Sequence, residues 1–285
     1  MGYLAQSIRA RREERISTEF PSEEETRVLI LGDSHAVAGI DPQYIPFSAN
    51  WAQVGEELEF SYYKLLHALR VGLKPKDLIL TCSFFNFLAP KDSQSEMMKR
   101  YHPLLDKDFY KAKFAFQEAD ASVYYYYLTN IIMPDYIPVG ILNDFVLLHG
   151  PLDYYGAYDR REGSAIGDLR SLHKAIQRHY FVGKELRDFS PLRVHYFNEF
   201  ITLCRDQDIR LWVVNTPLND QYIERVPTEI SSQYYQIIAN RKHDFKFLDY
   251  SHISLPDSMF FDYDHLNYNG AQIFSEVIAS GLQEP

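Results

Sequence analysis

Two cysteines, Cys82 in an apolar stretch and Cys204 in a helical one, are too few for a disulfide framework and show no metal-ligand spacing. They leave the redox compartment open. No run of about 18 apolar residues occurs and no charged-then-apolar leader opens the chain, so neither a spanning helix nor a signal peptide is expected and the chain reads as soluble. Positive charge is also scarce: 29 Lys and Arg stand against 39 Asp and Glu, a net charge of -10. Binding to phosphate needs clustered Lys and Arg, so nucleic acid or an anionic membrane surface is a poor partner for the body of the protein. Gly-x-Gly-x-x-Gly, a P-loop, His-Glu-x-x-His and Cys-x-x-Cys are all missing, and no cofactor or metal is indicated.

What is present suits a packed domain. Hydrophobic residues at 46% with charged residues at 24% argue against disorder, and 285 residues suffice for one large α/β domain with an insertion. The stretch Val28-Leu29-Ile30-Leu31-Gly32-Asp33-Ser34-His35 runs four apolar residues into a glycine, an acid and a serine. It predicts a buried parallel strand that delivers Ser34 to its carboxyl end, where ligands of open α/β sheets gather. Turn chemistry, with Asp33 or Ser34 capping a helix, explains the same residues. Near the other end, Asp262-Tyr263-Asp264-His265-Leu266-Asn267 leads into a helical stretch. An Asp three residues before a His can return its carboxylate to the imidazole while the other ring nitrogen faces a serine.

Together these two stretches resemble the SGNH, or GDSL-like, hydrolase superfamily, whose first block is Gly-Asp-Ser-x and whose last is Asp-x-x-His. The resemblance implies a serine-dependent esterase or acyltransferase with Ser34 as nucleophile, His265 as base and Asp262 as orienter. It also implies an oxyanion hole from the backbone N–H of Ser34, the backbone N–H of Gly55 in the second block, and the side-chain amide of Asn86 in the third. The glycine that usually precedes that Asn is absent here, which leaves Ser83 as the alternative. Gly-Asp-Ser-His followed by Gly39-Ile40-Asp41-Pro42, Asn50 and a strand into Ser83 looks like a bacterial branch often tethered outside the cytoplasmic membrane. On that reading the protein is extracytoplasmic, and a transferase version would take its acyl group from a membrane-bound partner.

Other residues compete for the same roles. Asp249-Tyr250-Ser251-His252 is a second Asp-x-x-His, but it is followed by Ile253-Ser254-Leu255-Pro256 rather than by a helix. Asp264 adjoins the histidine and is poorly placed to reach its ring. His35 adjoins the serine, where side chains diverge, and is read as local packing or rim polarity.

The expected fold is a three-layer α/β/α sandwich, flavodoxin-like, with about five mostly parallel strands. Residues 1–26 form a polar lead-in and 27–285 a single α/β domain, with a tyrosine-rich, largely helical insertion at about 88–189. Tyr124 to Tyr127, Tyr136, Tyr154, Tyr155 and Tyr158 in that insertion suit sugar stacking, a lid, or simply core. Arg160-Arg161-Glu162 reads as a solvated turn. Helix faces are expected at Leu58, Tyr62, Leu65, Leu66 and Leu69, at Leu192 to Cys204, and at Ile273, Phe274, Val277 and Ile278. The expected substrate is a small-molecule or polysaccharide ester, with acetyl groups on a cell-surface polymer favoured. The competing readings are a glycan-binding or assembly module that keeps the fold without turnover, and a phosphate-binding domain, for which the sequence places no basic residue near Ser34.

Overall fold

The computed structural model describes residues 26–90, 95–102, 104–132 and 156–283. The expectations for the lead-in before Thr26 and for Tyr136, Tyr154 and Tyr155 lie outside the described residues.

Strand β1 (Val28–Leu31) is wholly buried. It pairs in parallel with β2 (Ser48–Asn50) on one side and β3 (Asp77–Thr81) on the other. A two-stranded hairpin, β4 (Phe181–Val182) and β5 (Glu185–Leu186), stands apart. The main sheet is completed by β6 (Arg210–Asn215) and β7 (Lys246–Asp249), again parallel, in the order β2-β1-β3-β6-β7. This is the doubly wound, flavodoxin-like order, and its direction reverses between β1 and β3.

Side-chain alternation assigns the two faces. Leu29, Leu31, Leu78, Leu80, Leu211 and Val213 enter one core, while Val28, Ile30, Ile79, Trp212 and Val214 enter the other. A sheet buried on both sides needs helices on both, and the chain supplies them. Helix α1 (Ser34–Gly39) packs on the second face and α2 (Leu58–Arg70) on the first. Between β3 and β6 come α3 (Ser95–Tyr101), α4 (Lys107–Ala115), α5 (Ala121–Tyr127), a π-helical turn at Leu128–Ile132, and α6 (Leu169–Tyr180). The hairpin follows, and then α7 (Pro191–Asp206) opens with its N-cap Ser190 and a proline in its first turn, as read from the sequence. Leu88 and Phe189 meet in an isolated antiparallel bridge. Helices α8 (Asp220–Ile223), α9 (Thr228–Ala239) and α10 (Tyr268–Gly281) complete the chain.

The face of α7 from Leu192 to Cys204 is buried as expected, whereas two other helix faces differ from expectation. In α10 Phe274 and Ile278 are buried, but Ile273 and Val277 are exposed, because the packed stripe runs through Ala271 and Ser275. Ser275 Oγ accepts from the backbone N–H of Asp41, a role that hydropathy cannot announce. In α2 Leu58 and Leu65 are buried as expected, but Tyr62, Leu66 and Leu69 are only partly covered, and Phe60, Tyr63 and Ala68 are buried as well. Among the tyrosines, Tyr126 is buried, Tyr127 half-buried, and Tyr124 and Tyr125 exposed.

Candidate active site

Gly32 makes the turn out of β1 with φ +138°, and a Cβ there would lie 1.9 Å from Thr81 Oγ1. Only a glycine lets the first and third strands approach so closely at this point. Asp33 then caps α1 by accepting from the backbone N–H of His35 at 2.9 Å, so the capping reading of Gly-Asp-Ser holds for the acid. Ser34 is left as the first residue of the helix, half-buried at the carboxyl end of β1.

In-register pairing of Leu31 with Leu80 brings the loop after β3 beside the loop after β1. Asn86 lies there and donates one Nδ2 hydrogen to Asp33 Oδ2 at 2.9 Å. The backbone N–H of Ser83 holds the Asn86 Oδ1, so the amide nitrogen faces the β1 loop. Ser83 is itself buried, and it does not line the cavity described below. Asn50, at the end of β2, donates to the carbonyls of Ala36 and Ile40 and so ties α1 to the sheet edge. Gly55 follows in an exposed turn with φ +72°, just ahead of α2.

His265 arrives from 231 residues away, on a tight loop closed by a bridge between Phe260 and Leu266. Asn267 caps α10 immediately after it, accepting from the N–H of Asn269 and Gly270. Gly270 allows the Met259 carbonyl to press on the helix, since a Cβ would sit 2.2 Å from that oxygen. His265 Nε2 is 2.8 Å from Ser34 Oγ, and its Nδ1 is 2.9 Å from Asp262 Oδ1 and 3.1 Å from Oδ2. Asp262 also accepts from the backbone N–H of Asp264 and His265. Burial opposes its charge, but those hydrogen bonds and the imidazole hold its carboxyl well below the usual range. The geometry is that of a hydroxyl, a base and an orienting carboxylate in one line.

The competing residues fall differently. His252 is exposed, and Asp249 is engaged by Tyr235 and Ser251, so the second Asp-x-x-His stands outside the site. Asp264 Oδ2 lies 3.7 Å from His265 Nδ1, beyond hydrogen-bond length, and burial together with the Asp262 charge raises its pKa. Its Oδ2 and His35 Nε2, 4.0 Å apart and buried, have no hydrogen-bond partner among the described residues. His35 stacks on the His265 ring and pairs through Nδ1 with Asp33 at 3.2 Å. Burial works against both charges of that pair. Their mutual attraction prevails, lowering Asp33 to about 2 and raising His35 above its usual value.

A cavity of about 570 Å³ opens beside these groups, lined by Ser34, His265, Asp262, Gly55 and Asn86 together with residues that sequence reading passed over. His179 lies there with its ring on Phe85 and Nδ1 2.6 Å from the Tyr222 hydroxyl. Burial and the neighbouring Arg178 charge push its pKa well down, which keeps it neutral. The strap over residues 156–167 crosses this region. Its backbone binds Val37, Phe261 and Tyr268, and Gly156 rests on the Ala52 carbonyl, where a Cβ would come within 1.9 Å. It carries Arg161 into the cavity wall. Arg161 is therefore not the solvated residue expected: its side chain is 15% exposed and lies over the Phe261 ring.

His35, Asp264 and His265 offer ligand atoms within 4.8 Å of one another. However, His265 is engaged on both nitrogens and the Arg178 guanidinium lies 3.8 Å from Asp264, so a resident cation does not suit this cluster.

A serine at the carboxyl end of the first strand of a doubly wound parallel sheet faces a histidine from the loop before the last helix, the arrangement expected from the resemblance to SGNH or GDSL-like hydrolases. One protein-family model, which carries no description, matches residues 155–284. No curated protein matches the sequence. Among solved structures the chain is similar to a Bacteroides fragilis protein described as an acylhydrolase, at 12% identity, TM-score 0.43 and coverage of 94% of this chain and 92% of that one. It is also similar to a Bacteroides thetaiotaomicron GDSL-like lipase, at 11% identity, TM-score 0.42 and coverage of 95% and 97%. A third, from Streptococcus pneumonia and described as a platelet activating factor, has 13% identity, TM-score 0.44 and coverage of 97% and 92%. No helix among the described residues is long and apolar enough to cross a membrane.

Proposed function

We propose that the protein is a serine-dependent ester hydrolase or O-acyltransferase acting on acyl esters of a carbohydrate or related polymer. The observation that carries this reading is the 2.8 Å contact between Ser34 Oγ and His265 Nε2, with Asp262 on the opposite ring nitrogen. His265 takes the hydroxyl proton as Ser34 Oγ bonds to the ester carbonyl carbon. The backbone N–H groups of Ser34 and Gly55 and the second Asn86 amide hydrogen receive the developing oxyanion, and each such donor is worth about 2.7–4 kcal/mol in the transition state. Collapse of the tetrahedral intermediate breaks the bond to the alcohol, whose oxygen takes the proton from His265. Water then releases the acid, or a sugar hydroxyl accepts the acyl group, and Ser34 regains its proton. Asp262 keeps the imidazole in the tautomer that accepts at Nε2.

The test is covalent labelling with a fluorophosphonate probe, read by intact mass. Label on wild type and on His252→Ala, lost in Ser34→Ala and strongly reduced in His265→Ala, is the expected result. Folded wild type that takes no label would favour a binding module that keeps the fold without turnover.

A further inference from the structure

Four arginines line the cavity beside Ser34, and two of them are committed to the protein. Arg187 donates to the carbonyls of Ala89 and His179. Arg193 donates to the Leu88 carbonyl and to Glu57. Arg161 and Arg178 differ. The Arg161 guanidinium is fixed over the Phe261 ring, its Nε lies 3.4 Å from the exposed Asp159 carboxylate, and its backbone carbonyl accepts from the N–H of Tyr268. Arg178 stands at the end of α6 with its side chain 61% exposed. Its Nε and Nη2 lie 3.3 and 3.2 Å from His179 Nε2, and Nη2 is 3.8 Å from Asp264 Oδ2.

From this arrangement we infer that Arg161 and Arg178 form a subsite for an oxyanion, carboxylate or phosphate, carried on the alcohol part of the ester substrate. The inference rests on the ester chemistry proposed above. The carboxylates that share the cavity wall do not neutralise the pair. Asp33 is held by His35, Glu56 by Lys64, Glu57 by Arg193 and Asp262 by His265, while Glu96 is exposed on α3. Asp264, the acid nearest Arg178, is pushed toward its neutral form by burial and by Asp262. Neutral His179 adds no charge of its own and helps to hold the guanidinium.

The chemistry says which half of the substrate these residues meet. In the collapse step the proton on His265 Nε2 passes to the leaving oxygen, so the alcohol lies on the His265 side of the scissile bond. Both arginines are tied to the loop carrying His265, Arg161 through Phe261 and Tyr268 and Arg178 through Asp264. An anion on the alcohol therefore meets two guanidinium forks, which bind carboxylate and phosphate through paired N–H donors. With a net charge of -10, attraction of an anion has to come from such a local pair rather than from the field of the whole molecule.

The experiment measures acetate release from mono-acetylated methyl glucoside, mono-acetylated methyl glucuronoside and acetylated glucose 1-phosphate, with wild type, Arg161→Gln, Arg178→Gln and the double variant. The expected result is a wild-type kcat/KM about 10- to 100-fold higher for one or both anionic esters, the range of a hydrogen bond to a charged group, with the ratio falling toward one in the double variant. The glucuronoside and phosphate arms tell the two oxyanions apart. A wild-type ratio near one, or a preference that survives the double substitution, overturns the inference. Exposed Arg178 is replaceable without loss of fold, so Arg178→Gln alone keeps the test decisive if Arg161→Gln does not fold. Fluorophosphonate labelling of the same preparations separates the two levels. Label at Ser34 with a flat ratio removes only the anion subsite, whereas no label and no acetate release from any ester removes the ester reading and the subsite with it.

Discussion

His35 stacks on His265, with ring centroids 4.9 Å apart and planes 22° from parallel. The residue next to the serine in sequence thus touches the base through its ring face, while its Nδ1 holds the aspartate that caps the serine's helix. Three buried or half-buried acids and two histidines are packed into this small volume.

Asp262 and Asp264 both approach His265, but at 2.9 and 3.7 Å. Asp262→Asn is expected to lower kcat for 4-nitrophenyl acetate by about 10³- to 10⁴-fold, by favouring the wrong tautomer. Asp264→Asn should cost less than tenfold on the order-of-magnitude scale of a group outside hydrogen-bond reach. Steady-state kinetics on the two variants check this, and equal losses would remove the assignment of Asp262 as orienter.

The Asp33–His35 pair makes stability depend on pH at both ends. The carboxyl of Asp33 is lowered from 3.8 to about 2, so its contribution is present above about pH 4 and is lost as pH falls through 2. A lowering of that size is worth roughly 2 kcal/mol. His35 is raised, so its contribution is complete below 6.5 and fades as pH rises through its folded value. Urea unfolding midpoints of wild type should fall on both sides of this window, and those of Asp33→Asn should flatten on the acid side.

Gly32→Ala places a methyl group against Thr81 Oγ1 in a backbone conformation that side chains rarely adopt. A loss of about 3 kcal/mol is expected from strain and overpacking together. Gly32→Ala with Thr81→Ala should recover the overpacking share and leave the strain, a coupling read by a double-mutant cycle in urea.

Lys64, fully buried in α2, donates to Glu56 and to the Trp51 carbonyl, and Glu56 also accepts from Ser61 and Tyr101. Burial outweighs the pairing, so the acid is raised and the amine lowered, while every oxygen of Glu56 has a donor. Lys64→Met leaves Glu56 uncompensated beside Gly55. It should cost about 3–5 kcal/mol of stability by denaturant unfolding. Retention of wild-type stability would mean that Glu56 is protonated in the folded protein.

Much of this protein was legible in local pattern. Val28–Leu31, Asp77–Thr81 and Leu211–Val214 are apolar runs of strand length, and strands buried on both faces have to be apolar throughout. Gly32-Asp33-Ser34 and Asp262-x-x-His265 were legible because the turn, the cap and the carboxylate-to-imidazole contact are all made within three residues. Asn267 and Gly270 mark the following helix for the same reason. By itself, then, the sequence determined the apolar strands, the turn that presents the serine and the acid-histidine unit, since each depends on neighbours along the chain. Only the tertiary structure decided what surrounds them. His35 against His265, His179 and Tyr222 behind Phe85, and Arg161 with Arg178 at the cavity wall are contacts between segments tens to hundreds of residues apart, set by strand register and by the path of the strap. A guanidinium in a polar run carries no local signal of the cavity it will face, because its partner exists only once the chain has closed around the sheet.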